Sequence, residues 1–150
     1  MDHVTLAGDL FLEGFNCAQA VAVAFTDVTG MDKQAAAKLA APFGGGMGRM
    51  REVCGAVSGM FMVLGALYGY DNSDADSKKK ELYQQVQALA EQFRQENGSI
   101  ICREILKNPP SDPNPSPRTA EYYAKRPCCR MVMTAAKLMD DFIAEHPLED

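Results

Sequence analysis

The chain lacks the signatures of several large protein classes. There is no excess of positive charge: 20 acidic side chains against 15 basic ones leave a net charge of -5 at pH 7. No broad cationic field is therefore present to attract nucleic acid or an anionic lipid surface. Histidine is scarce, with only His3 and His146, and no Cys-x-x-Cys pair occurs, so zinc-finger spacing is excluded. The start, Met1-Asp2-His3-Val4, has no basic segment leading into an apolar one, which argues against a secretory signal and makes the cytoplasm the expected compartment. No segment alternates with period two and no internal repeat is present, which disfavours a sheet or a solenoid.

What is present is enough for one ordinary domain. The 150 residues are 47% hydrophobic and 23% charged, sufficient for a full core under a normal polar surface. The most apolar stretch, Val53 to Tyr70, carries no charge, but at about 18 residues it sits at the lower limit for crossing a bilayer. It also lacks flanking basic clusters, so it reads as a buried central helix and membrane insertion is not expected.

The rest of the chain is punctuated for helices. Asp2 caps a first helix to Leu12, and Asn16-x-x-Gln19 resembles a capping box opening a second. Asp32 caps a third, Ala-rich helix that must end before Pro42. The run from Phe43 to Gly48 is a tight glycine loop feeding the central helix. There Gly55, Gly59, Met62, Ala66 and Gly69 share a face that a neighbouring helix can approach closely. From Asn72-Ser73-Asp74 begins an amphipathic helix, with Leu82, Val86, Leu89 and Phe93 as its apolar stripe, ending at Asn97-Gly98. Ser99 caps a short helix over 100–106. Residues 109–117, with Pro109, Pro110, Pro113, Pro115 and Pro117, form an extended loop. A short helix follows over 119–125. Pro127, at an N1 position, then opens a final helix to about Glu145, with Val132, Ala135, Met139 and Phe142 buried. The expectation is an all-α, single-domain compact bundle spanning 1–150, with about six to eight helices around a buried Gly-rich central helix.

Five cysteines, Cys17, Cys54, Cys102, Cys128 and Cys129, carry the chemistry. An odd number without an export signal argues for free thiols, redox thiols or metal ligands rather than a disulfide framework. All five fall in the first turn of an inferred helix, where unpaired N–H groups and the helix dipole favour a thiolate. Arg49 and Arg51 precede Cys54, Arg103 follows Cys102, and Lys125, Arg126 and Arg130 surround the terminal pair; Glu52 and Glu104 oppose them. Ordinary core packing accounts equally well for any one of these cysteines, but less well for all five placed alike.

The segments Asn16-Cys17-Ala18-Gln19-Ala20, Phe43-Gly44-Gly45-Gly46-Met47-Gly48, Cys54-Gly55-Ala56-Val57-Ser58-Gly59, Cys102-Arg103-Glu104-Ile105-Leu106 and Cys128-Cys129 resemble those of the redox-active protein family labelled C_GCAxxG_C_C. The resemblance covers nearly the whole chain. It implies redox activity at four spaced cysteines and brings no established substrate with it; proximity of members to transporter genes implies a supporting role in uptake or metal handling. The sequence departs from the label in reading Cys54-Gly55-Ala56, and in doubling the last cysteine, which leaves open whether Cys128 or Cys129 fills that place.

Three functions are expected. The first is a thiol–disulfide redox protein, acting on a redox partner or a small-molecule substrate. Cys54 is its preferred nucleophile, Cys17 and one of Cys128 and Cys129 its resolving partners, and Cys102 is in reserve. Gly45, Gly46 and Gly48 with Arg49 and Arg51 would hold substrate or an anion beside Cys54, although a structural turn explains the glycines at least as well. The redox reading needs no cofactor. The second is a thiolate site for zinc or an iron–sulfur cluster, with Cys17, Cys54, Cys102 and Cys129 as ligands. The third is a non-catalytic interaction module whose glycine-faced helix packs on a partner or, as a homodimer, on its own copy.

Overall fold

Local sequence explains most of the helix boundaries. In the computed structural model, which describes residues 2–148, α1 spans His3–Leu12 and is capped by Asp2, whose carboxylate accepts from the N–H groups of Val4 and Thr5. Helix α2, Cys17–Ala24, opens with the full capping box: Asn16 accepts from the Gln19 N–H at 2.9 Å, and the Gln19 side chain accepts from the Asn16 N–H at 3.1 Å. After a single turn, α3 (Thr26–Thr29), Asp32 caps α4, Lys33–Ala40. A 3-10 turn at Ala41–Phe43 carries Pro42. The distorted turn α5, Gly44–Met47, leads to the central helix α6, Gly55–Tyr68. Then come α7 (Asp76–Asn97), the single turn α8 (Cys102–Ile105), α9 (Ala120–Lys125) and α10 (Cys128–Glu145). Among the described residues there is no strand, only one isolated bridge between Val53 and Ile101. The protein is all-α.

Several boundaries differ from expectation for identifiable reasons. Asn72 is occupied in a turn, accepting from the Asp74 N–H at 3.2 Å, so α7 starts later, at Asp76. Ser99 accepts from the Ile101 N–H at 2.9 Å and donates to Glu104. This turn delays α8 to Cys102. Pro127 is the residue before α10 rather than its first. The single turns α3 and α5 were too short to carry a periodic pattern.

Helix α2 lies against α6, α1, α4 and α10, and α10 also packs on α1, α6 and α7. Phe11, Phe25, Phe93, Met60, Leu64, Leu89, Met131 and Met139 are fully buried between them. Burial of side chains this size contributes about 1.5–3 kcal/mol each. The expected stripe of α10, Val132, Ala135, Met139 and Phe142, faces this core. In α7 only Leu89 and Phe93 are fully buried, while Leu82 and Val86 pack at its margin. Helix α6 is enclosed as far as Met60 and again at Val63 and Leu64, but Phe61 and Met62 are half-buried and Gly65 and Ala66 reach the surface, so it is not buried all round.

The glycine face of α6 is used inside the molecule. A Cβ on Gly59 would come within 2.7 Å of the Ala18 carbonyl oxygen, and one on Gly55 within 3.1 Å of Cys17 Cβ. Helix α2 therefore occupies the Gly55 and Gly59 end of the face that the interaction-module and homodimer readings assign to a partner, while Ala66 and Gly69 at its other end are exposed. No described helix is long and apolar enough to cross a membrane.

Candidate functional site: a thiol-lined cationic cavity

Four helices begin at the same place. Cys17, Cys102 and Cys128 are the first residues of α2, α8 and α10, and Cys54 is the residue before α6. All four line one cavity of about 280 Å³. The Val53–Ile101 bridge sets two of them side by side, with the Cys54 N–H donating to the Ile100 carbonyl at 2.7 Å and the Cys102 N–H to the Glu52 carbonyl at 2.6 Å. All five cysteines are free.

Cys129 is not in this group. Successive residues on an α-helix are turned by about 100°, so when Cys128 faces the cavity Cys129 faces α1. There its sulfur lies 3.8 Å from the Cβ position of Gly8, beside Met133. The expected ligand set of Cys17, Cys54, Cys102 and Cys129 is therefore not assembled. Among the described residues no three His, Cys, Asp or Glu side chains are placed to hold one metal ion. The zinc or iron–sulfur alternative thus lacks a ligand group.

The segment before α6 is wound the wrong way for L-residues. Gly45, Gly46, Met47, Gly48, Arg49 and Arg51 have φ between 62° and 70°, which costs a residue with a Cβ about 1–2 kcal/mol. Glycine is required at Gly46, where a Cβ would lie 2.6 Å from Cys102 Cβ and 2.9 Å from the Arg51 backbone. Gly45, Gly46 and Gly48 do line the cavity. The N–H of Gly48, however, is already bonded to the Gly44 carbonyl, so it is not free to cradle an anion.

This winding sends Arg49 and Arg51 to the cavity wall, where Arg118 and Arg126 join them. Arg51 is only 3% exposed; its Nε donates to the Pro110 carbonyl at 2.9 Å and its Nη1 to Cys102 Sγ at 3.7 Å. Its Nη2 is buried without an acceptor. Arg49 Nε donates to the Asp112 carbonyl and its Nη1 to Ser116 Oγ, lacing the proline-rich loop over the site. Arg118 donates to the carbonyls of Phe11 and Phe15 and covers the Phe11 ring, its guanidinium carbon 4.5 Å from the ring centroid. This pins the approach to Cys17.

Among the described residues no aspartate or glutamate lines the cavity. The acids next to the cysteines in sequence are engaged elsewhere: Glu52 pairs with Arg103, and Glu104 accepts from Ser99. Arg103 is thereby also drawn off, and Lys125 pairs with Glu121. Arg118 had no sequence signal, since it stands alone after the proline run and reaches Cys128 only through the fold.

The thiols divide electrostatically. Cys128 is lowered from the ordinary thiol value to about 7, first by Cys17 beside it and then, against its burial, by the charges of Arg126, Arg118 and Arg51. Cys17 is raised well above the usual value, chiefly by Cys128 beside it and then by its burial. Burial pushes Cys54 up to about 12, although the N–H groups of Ala56 and Val57, which face the sulfur without capping it, pull the other way. Cys102 is also raised by burial, with Arg51 opposing. Position at a helix start thus does not decide the matter: burial leads at Cys54 and Cys102, and the neighbouring Cys128 leads at Cys17.

Fold and site together define an all-helical protein with four thiols gathered at helix starts around a cationic cavity. Residues 15–142 match the family described as "Putative redox-active protein (C_GCAxxG_C_C)", and the chain belongs to that family. No curated protein and no solved structure matches it.

Proposed function

We propose that this redox-active protein is a two-thiol reductant in which Cys128 attacks and Cys17 resolves. The observation that carries the reading is the wall around Cys128: it lines one cavity with Cys17 and with Arg51, Arg118 and Arg126, and these neighbours lower its thiol to about 7 while Cys17 is raised. The Cys128 thiolate attacks one sulfur of a substrate disulfide, forming a mixed disulfide and expelling the other sulfur as a thiolate. Cys17 gives its proton to that departing thiolate and attacks Cys128 Sγ, which releases the second substrate thiolate. The substrate gains two electrons and the Cys17–Cys128 pair loses them; a dithiol partner restores the pair.

Cys54, which its neighbours in sequence made the preferred nucleophile, stays protonated at neutral pH and stands with Cys102 as a reserve pair beside the first. Cys129 takes no part. A compartment that keeps thiols reduced, such as the cytoplasm, suits this chemistry.

Peptide mapping after stoichiometric oxidation tests the assignment. A Cys17–Cys128 crosslink that a dithiol reverses is expected, and Cys17→Ser should accumulate a mixed disulfide on Cys128. A crosslink confined to Cys54 and Cys102, or thiols that do not oxidise, overturns it.

A further inference from the structure

Four arginines and four thiols line a cavity that, among the described residues, contains no carboxylate, in a chain whose net charge is -5. Positive charge has been concentrated there against the overall balance, and three of the four guanidinium groups are held by partners in the protein. Arg49 holds Asp112 and Ser116, Arg118 holds the Phe11 and Phe15 carbonyls, and Arg126 reaches Ser116 Oγ and lies over the Tyr122 ring. Arg51 differs. It is buried and turned toward the thiols, with Nη1 on Cys102 Sγ, yet Nη2 has no acceptor. A guanidinium N–H out of water and without a partner is costly. The bidentate fork of arginine fits a carboxylate.

Building on the two-thiol reading, we propose that the cavity selects small acidic disulfides, docking a carboxylate on Arg51 while a sulfur of the same molecule meets Cys128. A volume of about 280 Å³ lies at the lower edge of the range for small-molecule sites, roughly 300–1,000 Å³. It suits a compact molecule rather than a protein loop. The carboxylate supplies the oxygen that Nη2 lacks, and its charge meets no opposing acid in the wall. The exchange is the one already written: the docked disulfide accepts two electrons and leaves as two thiols.

The test uses three disulfides of similar length and different charge on the wild-type protein: 3,3′-dithiodipropionate, 2-hydroxyethyl disulfide and cystamine. Each rate of Cys17–Cys128 oxidation is divided by that of free 2-mercaptoethanol with the same disulfide, which removes intrinsic reactivity. The dianion should exceed the dication by about tenfold or more, and Arg51→Gln should flatten the order. Equal normalised rates, or a preference for cystamine, overturn the proposal while leaving the two-thiol reading intact. Suberate, which has the same chain length and no sulfur, provides the converse test by slowing iodoacetamide labelling of Cys128. If suberate protects but no disulfide oxidises the pair, the carboxylate site stands and the redox reading falls. If suberate gives no protection, the carboxylate site falls.

Discussion

Cys54 and Cys128 both stand at the start of a long helix, yet their thiols move in opposite directions, to about 12 and about 7. The helix dipole is common to both. The difference lies in what else reaches the sulfur: Cys128 has Cys17 and three arginines beside it, whereas Cys54 has two backbone N–H groups against nearly complete burial. Iodoacetamide labelling, read by peptide mass spectrometry, should therefore modify Cys128 with a midpoint near pH 7, its rate falling below that pH as the thiolate is protonated. Cys54 should stay unlabelled at neutral pH. Arg126→Gln should move the Cys128 midpoint upward and lower its rate at pH 7 by about two- to fivefold. At this scale the sequence showed which residue type would act and that four helix starts would carry it. It did not show which thiol would be lowered, because that depends on Cys17, Arg118 and Arg51, which reach Cys128 only after the chain has folded. Nor could it separate Cys128 from Cys129, since their unlike surroundings follow from the angular register of α10.

Among the elements, the glycines sort into those that are tight and those that are not. Gly59 meets the Ala18 backbone and Gly46 meets Cys102 and Arg51, whereas nothing lies within 4 Å of a Cβ on Gly65, which is exposed in the body of α6. Urea denaturation should find Gly59→Ala destabilising by about 1–3 kcal/mol. Gly46→Ala should cost at least as much, since its left-handed φ is an added penalty. Gly65→Ala should instead stabilise by about 0.5–1 kcal/mol, as an unhindered glycine in a helix does. Equal effects at all three positions would contradict the packing of α2 on α6. Legibility at this scale follows locality. Capping by Asp2, Asn16 and Asp32 was readable because it involves neighbours three residues apart. The left-handed winding of Met47, Arg49 and Arg51 was not, because distant partners in the proline-rich loop hold it.

For the molecule as a whole, a Cys17–Cys128 bond would tie the start of α2 to the start of α10 across most of the chain. Closing a loop of roughly a hundred residues restricts the unfolded state and is worth up to about 4 kcal/mol. The oxidised form should therefore melt several degrees above the reduced one in calorimetry, and a dithiol should abolish the difference. A melting temperature that falls on oxidation would show that the bond distorts the helix starts it joins. The all-α architecture was legible at this scale, since helical periodicity and the absence of alternation are properties of the whole sequence. The convergence of four helix starts on one cavity was not, because nothing local brings residues 17, 54, 102 and 128 together. Cys128 and Cys129 finally give the protein its own reference electrode: two adjacent sulfurs, one looking into the arginine-lined chamber and one onto α1. A treatment that loosens the fold alters both signals together, whereas one that occupies the chamber alters only the first, so their ratio reads occupancy without a second protein for comparison.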